Sequence, residues 1–480
     1  MRTSRRIGCV LVLLGTLAAC SDAPAPSSTA IVIDNVTVID AVAGARPGQR
    51  VVIDGDRILS VGPMTEPRPA ASEVLDGGGR YLIPGLWDMH VHFLYEPALT
   101  GGMADQFLRY GVTSVRDTGG DLAQMVALRA GLEARAAAAD GRPVPRLFFA
   151  GPLLDGRFVV YDGADPDQPP LGTAVPDVAA ARATVQRLHA AGADFIKVYE
   201  LVSPEVFTAL TDEAHRLGMP VDAHVPLSMT ADAAGPRTDS MEHLRNIELA
   251  CASNWEALQH ERLNRLQSFT EGRGYELRRD LHALQRLPAI AAYDEQRCDA
   301  VLERLASTVQ VPTLRLNAVA LVQPYERADW SEALAALPAA VRDRWQARAD
   351  RMRAEYPVTD HTFAEWSLFL ISRLLAHGVP IGAGTDTPIG LGIPGYSLHT
   401  ELELLVRSGL EPLQALYAAT VQPARYFGLK DLGEIRPGAL ADLVLLDADP
   451  LQDISNTRRI SAVMAGGRWV DLDAPAWPAP

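Results

Sequence analysis

The sequence has no basic stretch in its mature region, and its 59 acids outnumber its 44 Lys and Arg, for a formal net charge of −15. That excludes nucleic acid as a partner, because phosphate backbones are held by grouped Lys and Arg. The N-terminal apolar run, Ile7 to Leu17, is too short for a mature membrane-spanning helix, which needs about 20 such residues. No internal repeat is present beyond an alternation of short apolar runs with helical stretches. Cysteine is scarce, with four in 480 residues. Cys9 and Cys20 belong to the N-terminal signal region, which leaves Cys251 and Cys298. Both fall in one expected helical insertion, where they either form a local disulfide or stay as buried thiols.

What is present begins with an export signal. Arg2, Arg5 and Arg6 precede the apolar run, and Leu17-Ala-Ala-Cys20 has the pattern of a bacterial lipobox, where cleavage precedes a cysteine that becomes lipidated. Residues 1–20 are expected as lipoprotein signal and lipobox. Residues 21–30, rich in Pro, Ser and Ala, read as a flexible tether. Ser21 in place of Asp resembles Gram-negative lipoproteins of the outer membrane, anchored by lipid at Cys20 on the periplasmic side. A plain signal peptide, giving a soluble periplasmic or secreted protein, is the alternative. Cleavage removes three Arg and no acid, taking the charge from −15 to −18.

Ile31 to Asp40 alternates and is β-branched, Val51 to Ser60 carries Asp54-Gly55 at a hairpin turn, and strands return at Ala441–Asp447 and Ile460–Val470. Residues 31–82 and 433–475 are expected to form one small β-sandwich from both chain ends. Between them, 83–432 alternates apolar runs with Ala/Leu/Arg-rich segments, the pattern of βα units. The fold class expected is α/β, a distorted (β/α)₈ TIM barrel. Its strands centre on Leu86–His92, Thr113–Asp117, Arg146–Gly151, Phe195–Tyr199, Val221–Val225, Ser240–Leu244, Thr308–Leu314 and Ile381–Asp386. Helical insertions at about 250–305 and 320–370 follow strand C-termini, so they would roof the mouth where such barrels carry their sites.

His90-Val-His92 puts two imidazoles on one strand face, and neutral imidazole is a common zinc ligand. Lys197, in Phe-Ile-Lys-Val-Tyr, sits in an apolar strand where an unpaired ammonium is costly. His224, His243 and Asp386 each stand near the C-terminal end of a strand. Tyr199 and Arg245, two residues after Lys197 and His243, are candidates for touching a substrate carboxylate or carbonyl; the other readings are barrel packing for Tyr199 and an outside pairing with Glu242 or Glu248 for Arg245. Arg116 is a further substrate-binding candidate, with a structural ion pair to Asp117 or Asp88 as the other reading. His399 either lines the pocket or packs a helix start. His189, His215, His260, His282, His361 and His377 read as surface or structural.

As an ordered set, Pro84-Gly-Leu-Trp-Asp-Met-His-Val-His92, Lys197, His224, His243, Gly384-Thr-Asp386 and the closing Gly433-to-Asp447 segment resemble the amidohydrolase superfamily, in its imidazolonepropionase-like and Xaa-Pro dipeptidase-like branch. The likeness covers about 31–470. It implies two divalent metal ions, zinc by default, with Mn, Co or Fe also suited to such ligands. His90, His92 and Asp386 would hold one and His224 and His243 the other. A CO₂-derived carbamate on Lys197 would bridge them. A water bridging the metals would be the nucleophile and Asp386 the catalytic proton carrier. The implied activity is hydrolysis of an amide or peptide C–N bond in a small molecule or short peptide, as in an exported dipeptidase or carboxypeptidase. A lactonase, cyclic-amide hydrolase or deaminase on the same site is the nearer alternative, and a non-catalytic small-molecule-binding lipoprotein the further one. The 433–447 segment reads as part of the terminal β-sandwich rather than as catalytic.

Overall fold

The computed structural model describes residues 29–138, 141–165, 168–355 and 358–477. The signal, the lipobox and Cys20 lie outside them, as does the tether up to residue 28. Ala30 is buried, and its carbonyl accepts from the Ser72 amide.

Strands from both chain ends share one sheet. Ile31–Asp40 pairs antiparallel with Gly44–Asp54, which pairs with Arg57–Pro63. Tyr81–Pro84 lies parallel to Ile31–Asp40 and antiparallel to Leu443–Leu446, which continues into Ile460–Ala465. Alternation sorts the side chains of these strands. Leu82, Leu443 and Leu445 join Ile33, Val38 and Val51 in a core of the terminal unit, while Ile83, Val444 and Leu446 join the main core of the chain. The expected sandwich is visible only in part: these strands form a single hydrogen-bonded sheet. Its outer edge folds back, with the Ile58 amide donating to Ala439 O and the Ala441 amide to Asp56 O, both at 2.8 Å.

The middle of the chain holds parallel strands in two sheets. Leu86–Val91, Val112–Asp117 and Arg146–Phe149 form one. Leu153–Asp155, Ile196–Val198, Val221–Ala223, Ser240–Glu242 and Val309–Val311 form the other, with Gly172–Ala174 at its edge. Leu86–Val91 and Val112–Asp117 are buried at every residue, as parallel strands covered on both faces must be. The expected third strand, 146–151, is regular only over 146–149, which pairs with Val112–Asp117, and a separate strand at 153–155 pairs with Ile196–Val198. The expected eighth strand, 381–386, is not a regular strand. It is held by bridges Gln310–Ile381 and Val91–Thr387 and by the Met89 amide on Ala383 O at 2.9 Å, between Val309–Val311 and Leu86–Val91.

Both insertions are helical. The first contains Trp255–Ser268, Gly274–Ala291 and Glu295–Arg304, and a disulfide joins Cys251 to Cys298. The second contains Ala339–Glu355 and Thr362–Ala376.

Candidate metal centre

The site gathers where strands end. His90 and His92 leave one strand with ring centroids 5.2 Å apart. Asp386 reaches them because its backbone turns left-handed (φ 60°), with its amide donating to His90 O at 2.7 Å and its carbonyl accepting from Arg315 Nη2 at 2.9 Å. Gly384 permits the approach, since a Cβ there would fall 2.5 Å from Val311 Cγ1 and 2.9 Å from His90 Cβ. His243 is also left-handed (φ 61°), held by its amide on Val311 O at 2.9 Å and by Asn317 Nδ2 on its carbonyl at 2.7 Å. Such backbone costs roughly 1–3 kcal/mol per residue and persists only where surrounding contacts enforce it.

All four candidate imidazoles have Nδ1 engaged by the protein. His90 Nδ1 bonds Glu242, His92 Nδ1 lies 3.3 Å from Gly119 O, His224 Nδ1 lies 2.8 Å from Glu200 Oε1, and His243 Nδ1 shares a 2.7 Å bond with the Thr313 hydroxyl. Engaging one ring nitrogen fixes the tautomer and orientation of the other, as partners of metal-bound histidines do. The Nε2 atoms of His90, His92 and His243 lie 3.3, 3.1 and 4.0 Å from Asp386 carboxylate oxygens. Asp386 Oδ1 is nevertheless buried without an aligned hydrogen bond. These groups converge on a common point rather than donating to one another, so the donor set fits a divalent cation. One set of three, His90, His243 and Asp386, has donor atoms all within 4.8 Å. The His243 ring is 4.7 Å from both the His90 and His224 rings, so it stands between them.

The electrostatics separate the imidazoles. Burial pulls the His90 pKa down, but Glu242 and Asp386 outweigh it and raise it to about 9. Burial and then the Lys197 charge lower His224 to about 3, and burial lowers His243 well below the ordinary value. Burial alone would raise Asp386, but the His90 charge and the contacts of His90 and His92 hold it well below the carboxylate range.

Lys197 lines the same small cavity, of about 70 Å³, as the four histidines and Asp386. Its Nζ donates to Asp222 Oδ2 at 2.8 Å. Tyr199 and Arg245 line the cavity too, and Arg245 pairs with Glu200 at 3.3 Å rather than with Glu242 or Glu248. Arg116 does not line it, which corrects its candidacy for substrate contact. It is fully buried and donates to Met89 O, Ser240 Oγ and Glu242 Oε1 at 2.6, 2.8 and 2.5 Å, so its charge faces inward, and neither Asp117 nor Asp88 is its partner. His399 is a packing residue, bonded to the Thr457 hydroxyl and Tyr110 O.

Several participants were not read from the sequence. Glu242 stands beside His243, and an acid in so short a parallel strand was the available signal. Glu200 and Thr313 are single residues whose partners lie far along the chain. His282, read as surface or structural, is buried with Nε2 on Glu200, and Arg278 comes from the same helix Gly274–Ala291. Tyr161, from the 155–175 loop, lines the cavity and stacks edge-on to Tyr199 at 5.9 Å. The sequence also carries a stronger hint about Lys197: it is one of only two lysines in the chain.

Residues 367–470 match the amidohydrolase family. An imidazolonepropionase of Streptomyces avermitilis is 25% identical over 416 residues, covering 83% of this chain and 80% of that protein. Among solved structures, a bottromycin amidohydrolase aligns with a TM-score of 0.67 at 25% identity, covering 92% of this chain and 87% of that one. A Xaa-Pro dipeptidase with bound methionine shares the fold at a TM-score of 0.64 and 19% identity, covering 92% and 99%. The ordered motifs, the matched segment and the full-length likenesses make this chain similar to amidohydrolases, imidazolonepropionases and dipeptidases among them.

Proposed function

We propose that the chain is an exported, binuclear metal-dependent amidohydrolase that cleaves an amide or peptide bond in a small carboxylate-bearing substrate. The observation that carries this reading is the engagement of all four Nδ1 atoms, which leaves the Nε2 atoms and the Asp386 carboxylate for cations. The two parallel sheets, joined through 146–155 and 381–387, are read as parts of one distorted (β/α)₈ barrel, with these residues at its C-terminal mouth.

In this reading His90, His92 and Asp386 would hold one metal and His224 and His243 the other, with Lys197, once carboxylated, as a further anionic ligand. Carboxylation replaces a cation, whose charge bears on His224 and His243, with an anion that favours metal there. Bound divalent metals supply Lewis acidity and lower the pKa of water toward neutrality. The protein does the rest. Asp386 takes the proton from the attacking water and delivers it to the leaving nitrogen. Arg245 and Arg278 present guanidinium groups to a substrate carboxylate, and Tyr199 and Tyr161 close the cavity around it. The Cys251–Cys298 disulfide supports an oxidising compartment, in keeping with a lipid anchor at Cys20.

A second reading has specific support. His90, His243 and Asp386 alone form the compact set of three among the described residues, and the Lys197 amine is ion-paired with Asp222. A single metal would sit there, with Lys197 unmodified. Protein lacking residues 1–20, stripped with chelator and reloaded with zinc, separates these readings. Two metals per chain and restored cleavage of dipeptides or N-acyl amino acids support the first, and one metal supports the second. Activity on lactones alone would redirect the substrate class, and no turnover in fully metallated protein would sink the enzymatic proposal.

A further inference from the structure

The Glu200 carboxylate lies at an unusual junction. It is fully buried and has four side-chain partners. Oε1 accepts from His224 Nδ1 at 2.8 Å, Arg278 Nε at 2.9 Å and Arg245 Nη1 at 3.3 Å, and Oε2 lies 2.5 Å from His282 Nε2. Arg278 and His282 are one turn apart on the insertion helix Gly274–Ala291, so they reach down together from one face of it. His224 rises from the end of the strand Val221–Ala223. One carboxylate thus ties an imidazole of the metal site to a helix that lies outside the parallel sheets. The insertion is itself closed by the Cys251–Cys298 bridge, with Cys298 on the following helix.

We propose that Glu200 is a positioning residue through which the docked insertion helix Gly274–Ala291 orients His224 for metal. The inference rests on the binuclear reading above. An acceptor on Nδ1 fixes which nitrogen faces the cavity, but an acceptor held only by His224 would be free to swing. Arg278 and His282 remove that freedom by filling the other lone pairs of the carboxylate. The insertion then completes the second half of the site rather than merely covering it.

Zinc titration of the metal-free protein against a chromophoric chelator tests this without reference to turnover. Glu200→Gln is expected to weaken one of the two zinc sites about 10- to 100-fold, the range for partners of metal-bound histidines, while the other site keeps its affinity. Arg278→Met, which keeps the packed stem and removes the guanidinium, is expected to weaken the same site by a smaller factor. The double variant is expected to bind no worse than Glu200→Gln alone, because Arg278 acts through Glu200. If Glu200→Gln does not fold, Arg278→Met carries the test, read together with faster amide exchange across 274–291. Unchanged zinc affinity at both sites in the foldable variants, or fully additive losses, would overturn the inference. Failure of the wild-type protein to bind a second zinc would instead overturn the binuclear reading beneath it.

Discussion

Metal removal should make stability fall with rising pH, and the size of that fall can be worked from the site. In the metal-free protein His90 is buried between two carboxylates, its Nδ1 on Glu242 and its Nε2 3.3 Å from Asp386. Burial opposes its charge, but the two acids win and raise its pKa from 6.5 to about 9. A group whose folded pKa is raised contributes stability that is fully present below its unfolded pKa and is lost as pH climbs through the folded one. The window is therefore about pH 6.5 to 9. At 1.36 kcal/mol per pH unit, the loss from this group approaches about 3 kcal/mol. Zinc affinity should run the other way, rising with pH, because metal competes with the His90 proton. Denaturant melts of chelator-stripped protein at half-unit steps from pH 6 to 9.5, alongside zinc titrations, read both slopes. Glu242→Gln should flatten the metal-free slope by removing the larger of the two attractions. A metal-free protein whose unfolding free energy is level across this window would show that His90 does not carry the proton, and the charge balance drawn for the site would be wrong.

Asp386→Asn should keep the fold by circular dichroism yet lower kcat about 10²- to 10⁴-fold, the range for losing a proton carrier; a loss below tenfold would remove that role. Arg116→Met should destabilise the protein by roughly 3–5 kcal/mol, since it takes from buried Glu242, and more distantly from Asp222, one of the cations that offset their burial, and a pure KM effect with unchanged melting would return Arg116 to the substrate. Arg245→Met should raise KM about 10-fold or more for carboxylate-bearing substrates, through loss of a charge-assisted hydrogen bond, and leave uncharged amides little affected. Cys251→Ser with Cys298→Ser should cost about 2–4 kcal/mol in urea melts by freeing a 47-residue separation; equal midpoints would deny the bridge a stabilising part.

The residues that gather at the candidate site were legible in the sequence because strand chemistry is local. His90-Val-His92 shares a face by the two-residue period, and Lys197 stands out in an apolar strand whatever surrounds it. The groups that hold them were not legible. Glu200, Thr313 and Glu242 gain meaning only when positions tens to over a hundred residues away meet them. Arg116 shows the converse error: its place in a strand was correct, but the direction of its charge depended on Glu242 and Ser240, which no spacing reveals.

The sequence by itself determined the parallel-strand middle, the helical insertions and a terminal unit shared by both chain ends, since periodicity and burial set these within short windows. Tertiary structure alone decided that the terminal strands join one folded-back sheet and that 381–386 lies between its neighbours by bridges rather than a ladder. Only there, too, does an insertion helix reach the candidate site through Glu200. The physical reason is common to all three: hydrogen-bond partners and buried charges are satisfied by whatever the packed chain brings near, and sequence distance carries no record of that choice.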